Sequence, residues 1–189
     1  IERGFDAIVL LHGDNRYAPE CLPEMLKPIL ETGADAVLGS RMIHRSAALK
    51  EGMPRHKWIG SQILTLMQNW ILGSRLSEFH SGYRAYSTKA ITSIPFEHNS
   101  NGFDFDTDIL IQFLGTGKNI VEVAVPTFYG NEIAGAHGLG YAVRVLHSSI
   151  LSRVTRLGIY YHPKFDYEPE TNCKYKSKFG YPSSHQFAY

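Results

Sequence analysis

Cysteine, net charge and long apolar runs are all scarce in this sequence, and each scarcity excludes a class of protein. The two cysteines, Cys21 and Cys173, lie too far apart to suggest a metal-binding pair. No disulfide framework is implied, which favours a reducing, cytoplasmic compartment. The net charge of +1 provides no bulk attraction to nucleic acid. The longest apolar segment, 58–72, is interrupted by polar residues and is shorter than the roughly 20 residues of a membrane span.

The composition and its periodicity predict one α/β domain. A chain of 189 residues with 43% hydrophobic and 20% charged residues can bury a sizeable core. Short apolar runs predict strands at 8–11, 36–38 and 120–125. Apolar residues at helical spacing predict helices at 19–31, 58–72, 88–94, 106–114 and 139–157. Strands that alternate with helices favour a mostly parallel sheet flanked by helices.

The two ends of the chain differ from its centre. Residues 1–11 look like the end of a helix that runs into a central strand, so we expect a domain truncated before its first strands. Residues 161–189 are aromatic and lysine-rich without clear periodicity, which predicts a tail or linker after a domain formed by residues 1–160. Within that domain, the basic stretch 42–57 is expected to be flexible.

A polar cluster follows the first apolar run, where His12 and Asp14 come directly after residues 8–11. Open α/β sheets bind ligands beyond the carboxyl ends of their strands. Asp14 at such an exit is well placed to hold a divalent cation against a diphosphate. The alternative is an ordinary Asp-Asn turn that caps the following helix, and the spacing alone does not separate the two.

Two further clusters could serve the same chemistry. The first is Gly39-Ser40-Arg41, and the second runs from Glu78 to Arg84. A diphosphate-sugar enzyme needs a carboxylate for the metal, arginines for phosphate oxygens and an acidic group near the reacting carbon. Taken singly, each cluster also has a structural explanation, since Ser40 could cap a turn, Arg41 could be a surface charge and Gly82 could be a turn glycine.

The ordered combination of segments resembles family 2 glycosyltransferases with the Rossmann-like GT-A fold, particularly the polyprenyl-phosphate (dolichol-phosphate mannose synthase-like) branch. The matching segments, in chain order, are VLLHGDNRYAPE, LGSRM, EFHSGYRAYS and VEVAVPTFYGNE. They correspond to the DxD-type segment, the GSR after the next strand, the D-x-x-SGFR-x-Y segment and the strand that ends in proline. The resemblance covers residues 5–132 and implies a GT-A-like domain.

The resemblance also implies roles for individual residues. It implies an Mg²⁺ or Mn²⁺ site at Asp14 and His12, and a nucleotide-diphosphate sugar as donor. Its implied catalytic residues are Glu78, His80 and Arg84. Its implied substrate-binding residues are Ser40, Arg41, Ser81, Gly82 and Tyr83. The acceptor would be a polyprenyl phosphate or a cell-envelope glycan.

The sequence departs from the family pattern at several positions. His12 replaces the first Asp of the metal motif, and Arg16 stands where the family often has a metal-binding Gln. Glu78 replaces the usual Asp, which lengthens the reach of the carboxylate. The basic Ser-Lys that follows the last strand is missing, and His137 is the one titratable group in 134–138. We also expect the opening nucleotide-binding strand of the family to be absent from these residues.

Several expectations follow for the tertiary structure. Asp14, Arg41, Glu78, His80 and Arg84 should border one cleft, because each lies on what should be the same edge of the sheet. The basic stretch 45–57, followed by the amphipathic helix 58–72, suggests an acceptor loop and peripheral association with the inner face of the membrane. Full burial of the helix's large side chains would restrict that role to the loop.

Two other classes of function are open from the sequence. A metal-dependent hydrolase could use His12, Asp14, Glu78 and His80 as ligands. A non-catalytic interaction domain could present the helix 58–72 to a partner. Metal-dependent binding of a nucleoside diphosphate would distinguish the glycosyltransferase from both.

Overall fold

A computed structural model of the chain describes residues 4–14, 16–129 and 138–167. Its centre is one sheet of four strands, β1 (Ala7–Leu10), β2 (Ala36–Ser40), β3 (Arg84–Ser87) and β4 (Ile120–Ala124). The strands lie in the order β1-β3-β2-β4. The fold is therefore α/β, as the order of elements predicts.

The sheet is mixed, so the prediction of a mostly parallel sheet is wrong. Strand β2 runs parallel to β4, whereas β3 is antiparallel to both β1 and β2. The difference arises because β3, with the sequence RAYS, lies between β1 and β2 and runs antiparallel to both, at a position where no strand is predicted. Its four residues follow a long loop and contain no run of β-branched side chains, so local sequence does not indicate a strand.

Six helices flank the sheet within the described residues. They are α1 (Leu22–Thr32), α2 (Arg45–Lys50), α3 (Arg55–Leu72), α4 (Thr88–Ile91), α5 (Phe105–Gly115) and α6 (Gly138–Arg156). Helix α1 follows a 3₁₀ turn at Pro19–Cys21 and ends at Gly33, whose φ of 71° is the left-handed conformation that glycine supplies at helix ends. All five predicted helices are confirmed in position, although α4 is shorter than predicted.

The stretch 42–57 contains helical structure, and its predicted flexibility stays a prediction. The stretch forms α2 and the first turn of α3. Met42, Ala48 and Met53 are buried together and pack against the partly buried Trp58 and Tyr129. A small apolar cluster therefore forms within a segment that also contains five charged residues, Arg45, Lys50, Glu51, Arg55 and Lys57.

The core lies on both faces of the sheet. On one face, Met25 and Ile29 of α1 pack against Val37 of β2. On the other face, Ile109 and Phe113 of α5 pack against β2 and β3. Successive strand residues point to opposite faces, so each strand contributes to both clusters. This double coverage explains why β2 is buried at every position.

A buried ion pair attaches the end of the described chain to α5. Asp108 pairs with Lys164, whose Nζ also donates a hydrogen bond to Ser148 Oγ at 3.3 Å. Phe165 is buried beside them, within the short turn at Pro163–Phe165. Residues 161–167, which the sequence analysis assigned to the tail, therefore pack against the domain, and 168–189 lie outside the described residues. None of the helices described is both long enough and apolar enough to cross a membrane.

Candidate active site

Four segments with polar motifs meet at one edge of the sheet. Leu10 at the end of β1 and Leu38 near the end of β2 both pair with Arg84 at the start of β3. Ser40, which ends β2, pairs with Ala124, which ends β4. Because β3 runs in the opposite direction, the loop that precedes it lies beside the loops that follow the other three strands. The sheet register thus brings together segments separated by more than a hundred positions.

Arg41 and Glu78 form a nearly buried ion pair at this edge. The backbone N–H and Nε of Arg41 each donate to Glu78 Oε2 over 3.1 Å, and Nη2 pairs with Oε1. Arg41 Nη1 donates to the hydroxyl of Tyr129 at 3.2 Å. The side chain of Arg41 is 10% exposed and that of Glu78 is fully buried. In this conformation the guanidinium of Arg41 binds a protein carboxylate. The predicted role of Arg41 toward phosphate and that of Glu78 near the reacting carbon stay predictions.

A chain of hydroxyls anchors the start of the same loop. The N–H and Oγ of Ser77 donate to Glu122 Oε1 of β4 at 2.9 and 2.6 Å. Ser40 and Ser77 share a hydrogen bond of 2.6 Å between their hydroxyls, and Ser40 Oγ accepts from the N–H of Met42 at 3.1 Å. Ser40, predicted to bind substrate, is here part of the link between β2, β4 and the loop.

Arg84 holds the opposite end of the loop. Its guanidinium is buried and donates to the carbonyls of Phe79 at 2.6 Å and Ser81 at 2.7 Å, and to that of Asp106. The planar guanidinium of arginine can donate to three carbonyls on two segments at once. The ammonium group of lysine could not replace it in this role. This geometry makes Arg84 a brace for the loop 78–83 and attaches the loop to the first turn of α5.

Gly82 allows His12 to approach the loop closely. A Cβ at Gly82 would lie 2.6 Å from His12 Cε1, closer than side chains tolerate. The N–H of Gly82 donates to the hydroxyl of Tyr17 at 3.0 Å, and Ser81 Oγ lies 3.4 Å from the same hydroxyl. Tyr17 in turn lies beside Tyr83, with ring centroids 5.8 Å apart. The exit of β1 therefore contacts the loop directly.

Asp14 is exposed at this edge and is paired with Arg16. The N–H of Arg16 donates to Oδ1 at 3.2 Å, and its Nε lies 3.1 Å from Oδ2. Mg²⁺ is commonly held by one or two carboxylates together with substrate phosphates and water. An exposed carboxylate that can exchange a surface partner for a cation fits that limited role, and the metal site stays a prediction.

The four-ligand hydrolase has no support in the geometry. Within residues 4–14, 16–129 and 138–167, no group of three or more His, Cys, Asp or Glu side chains is placed to hold a metal ion. Glu78, one of the four proposed ligands, is committed to Arg41.

His80 is held as a neutral side chain. Burial, together with the charges of Arg84 and Arg41, lowers the pKa of His80 to about 3. Nδ1 lies 3.0 Å from the hydroxyl of Tyr141 on α6, and the two rings meet edge to face. Nε2 is buried and, among the described residues, has no hydrogen-bond partner. At neutral pH His80 can accept or relay a hydrogen bond but carries no positive charge for phosphate.

This low pKa predicts how stability changes with pH. The unfolded chain takes up a proton at His80 below its ordinary pKa of 6.5, whereas the folded chain does so only near 3. Stability is therefore lost as pH falls between these values, by about 1.4 kcal/mol per unit. In urea unfolding, the wild type should lose about 2 kcal/mol more than His80→Gln between pH 7 and pH 5. Equal losses in the two proteins would contradict the burial of a neutral imidazole.

Three tyrosines that no sequence motif indicates also contact residues at this edge. Tyr17, Tyr129 and Tyr141 bond respectively to Gly82, Arg41 and His80. Each contact joins residues more than sixty positions apart, so no local spacing could have indicated it. Tyr141 also lies 3.0 Å from the hydroxyl of Thr107 and thereby links α5 and α6.

The segments at this edge fall largely within a match to a known family. Residues 5–94 match the model for glycosyl transferase family 2. This range contains β1 to β3 and with them His12, Asp14, the Arg41–Glu78 pair and the loop 78–83.

Several characterised proteins are similar over longer stretches. An undecaprenyl-phosphate mannosyltransferase of Micrococcus luteus is 31% identical over 162 residues, which cover 84% of this chain and 62% of the relative. A polyprenol monophosphomannose synthase of Mycolicibacterium smegmatis is 26% identical over 76% of this chain and 53% of the relative. A UDP-N-acetylglucosamine–dolichyl-phosphate N-acetylglucosaminyltransferase of Methanococcus voltae is 26% identical over 68% of this chain and 50% of the relative. The chain thus spans between half and two thirds of the length of these relatives.

Proposed function

We propose that the chain is a family 2 glycosyltransferase, as the match of residues 5–94 to that family's model suggests, and that it transfers a sugar from a nucleotide-diphosphate sugar to a polyprenyl phosphate. The relatives named for undecaprenyl-phosphate, polyprenol and dolichyl-phosphate chemistry support this acceptor class. The observation that carries the proposal is the meeting of the family-matched segments at one sheet edge, where ligands of α/β sheets bind. The mixed sheet, covered by α1 and α5, supports a GT-A-like domain.

The residues divide into two groups in this proposal. Asp14, with His12 beside it, would hold Mg²⁺ or Mn²⁺, which supplies positive charge to a leaving diphosphate. The Arg41–Glu78 pair and Arg84 hold the loop 78–83 in position through the bonds described above. A rigid loop of this kind orients bound groups at little entropic cost, which is how positioning contributes to catalysis.

The acceptor chemistry also places the enzyme beside a membrane. A polyprenyl phosphate is anchored in a bilayer by its chain, so its phosphate is presented at the bilayer surface.

A transfer assay tests the proposal. The chain is incubated with labelled GDP- and UDP-sugars and a water-soluble, short-chain isoprenyl phosphate, with Mg²⁺ or Mn²⁺ present. We expect the label of one donor to appear in the isoprenyl product, and addition of EDTA should lower the rate by at least about a hundredfold, because the metal contributes several kcal/mol. Release of free sugar without an isoprenyl product would instead indicate a hydrolase.

A further inference from the structure

Helices α3 and α6 differ from ordinary surface helices, because polar residues are buried on them and apolar residues are exposed. The residues that α6 buries are mostly small and polar, namely Ser148, Ser149, Ser152 and Thr155 with Val145. On α3 the buried residues include Thr65 and Gln68. The two helices pack on each other, and Gln68 Nε2 donates to Ser149 Oγ at 3.3 Å.

Several large apolar side chains of both helices are exposed. We call them the α3–α6 apolar surface, formed by Ile59, Ile63, Leu66, Met67 and Trp70 of α3, by Leu139, Val143 and Ile150 of α6, and by Leu157 directly after α6. Trp70 is 86% exposed and Leu66 is 70% exposed. On α3 the members recur at spacings of three and four, so they occupy one face. Large exposed apolar patches are typical of interaction sites.

The charges on the two helices are all of one sign. Neither helix contains Asp or Glu, and their charged residues are Arg55, Lys57, Arg144, Arg153 and Arg156. Arg144 pairs with Asp104, whereas Arg153 and Arg156 are exposed on the last turns of α6. Basic residues beside exposed Trp, Ile and Leu are typical of helices that lie in the interface of an anionic bilayer.

The same charges argue against a second copy of the chain on this surface. A two-fold interface places the same patch on both subunits, so the basic residues of one would face those of the other. Anionic lipid head groups complement them instead. An indole is also well suited to a bilayer interface, where its ring is apolar and its N–H remains solvated.

We propose that the α3–α6 apolar surface docks into an anionic lipid bilayer, a role that rests on the proposed function because the lipid acceptor resides there. The surface is linked to the site by α6 itself. Tyr141, in the first turns of α6, contacts His80, and the exposed Leu139 and Val143 lie two residues to either side of it. Docking through α6 would thus hold the edge of the sheet that carries Asp14 and the loop 78–83 near the lipid phosphates.

Vesicle binding by the full chain tests the proposal. Sedimentation is measured with vesicles of phosphatidylcholine, with and without phosphatidylglycerol. Leu66→Gln is compared with Leu30→Gln, since Leu30 lies on α1 and is similarly exposed, at 65% against 70%. We expect binding to mixed vesicles, weakened roughly tenfold or more by Leu66→Gln and unchanged by Leu30→Gln. Arg153→Gln should weaken it about fivefold, and Lys27→Gln on α1 should not.

Tryptophan fluorescence measures directly whether the α3–α6 apolar surface enters the bilayer. The chain has two tryptophans, so Trp58→Phe leaves Trp70 as the single reporter. Its emission should move to shorter wavelength when mixed vesicles are added, and brominated lipid should quench it. Absence of both changes, or equal weakening by Leu66→Gln and Leu30→Gln, would overturn the proposal. A dimer that Leu66→Gln dissociates, without vesicle binding, would assign the surface to a second copy.

The same variants separate this inference from the proposed function. Transfer to the water-soluble isoprenyl phosphate requires no bilayer, so Leu66→Gln should leave that rate unchanged. Transfer to the soluble acceptor without vesicle binding overturns the docking surface alone. Vesicle binding without any transfer supports the surface and contradicts the proposed function.

Discussion

Asp14→Asn is expected to lower the rate of sugar transfer by at least about a hundredfold while leaving the fold intact. The substitution removes the negative charge that would hold the cation but keeps the size of the side chain. Its structural cost should be small, because Asp14 and Arg16 are 39% and 42% exposed and such surface pairs contribute about 1 kcal/mol or less. Steady-state transfer rates and urea unfolding of the same preparations measure both effects.

Arg16→Gln provides the matched control for this substitution. It breaks the same surface ion pair but retains the carboxylate, and glutamine is the residue that the family often has at this position. We expect Arg16→Gln to keep its transfer rate and to need no more Mg²⁺ than the wild type. If Asp14→Asn remains active, or if both variants lose activity equally, Asp14 is not the metal ligand.

Glu78→Ala is expected to destabilise the domain by about 3–5 kcal/mol, the typical cost of leaving one member of a buried ion pair without its partner. Glu78 has no exposed side-chain surface and accepts from the backbone N–H, Nε and Nη2 of Arg41. Its removal would leave a guanidinium that is only 10% exposed with the Tyr129 hydroxyl as its remaining described acceptor. Such a loss is a large part of the stability of an ordinary domain.

Two comparisons make the Glu78 result interpretable. Glu31→Ala breaks an exposed pair with Lys27 on α1, whose members are 62% and 67% exposed, and should cost about 0.5 kcal/mol or less. The double variant Arg41→Met with Glu78→Leu removes both charges and should recover most of the lost stability, because apolar residues often replace buried ion pairs without cost. A loss at Glu78 no larger than that at Glu31 would show that the pair is not buried in solution.

The geometry also separates positioning from contact with substrate. Arg41, Glu78 and Arg84 are all bound to other parts of the protein, and their bonds hold the loop 78–83 at both ends. Asp14 and His12 are the predicted site residues that remain exposed at this edge. The exposed pair is therefore the part of the site most accessible to a phosphate-bearing ligand, and the transfer assays of the variants above address it directly.

Local signals in the sequence were sufficient for much of the fold. Apolar spacing located all five predicted helices, and Gly33 marked the end of α1, because both depend on residues within a few positions of each other. The apolar runs likewise located β1, β2 and β4. The same signals did not indicate β3, since a strand of four residues between two neighbours is stabilised by pairing with those neighbours and not by its own composition.

The sequence by itself determined which segments carry reactive side chains, and tertiary structure alone decided what those side chains contact. Arg41 and Glu78 were predicted as separate phosphate-binding and acidic groups, yet the antiparallel insertion of β3 brings them together as a buried pair. His80 is neutral because packing encloses it beside two arginines, an effect that no local pattern contains. The spacing of apolar residues in the sequence predicted that α3 is amphipathic. It did not predict that the apolar face of α3 is exposed, because periodicity defines a face of a helix but not what that face contacts. Contacts between distant residues set ionisation, pairing and exposure, and these arise only when the chain has folded.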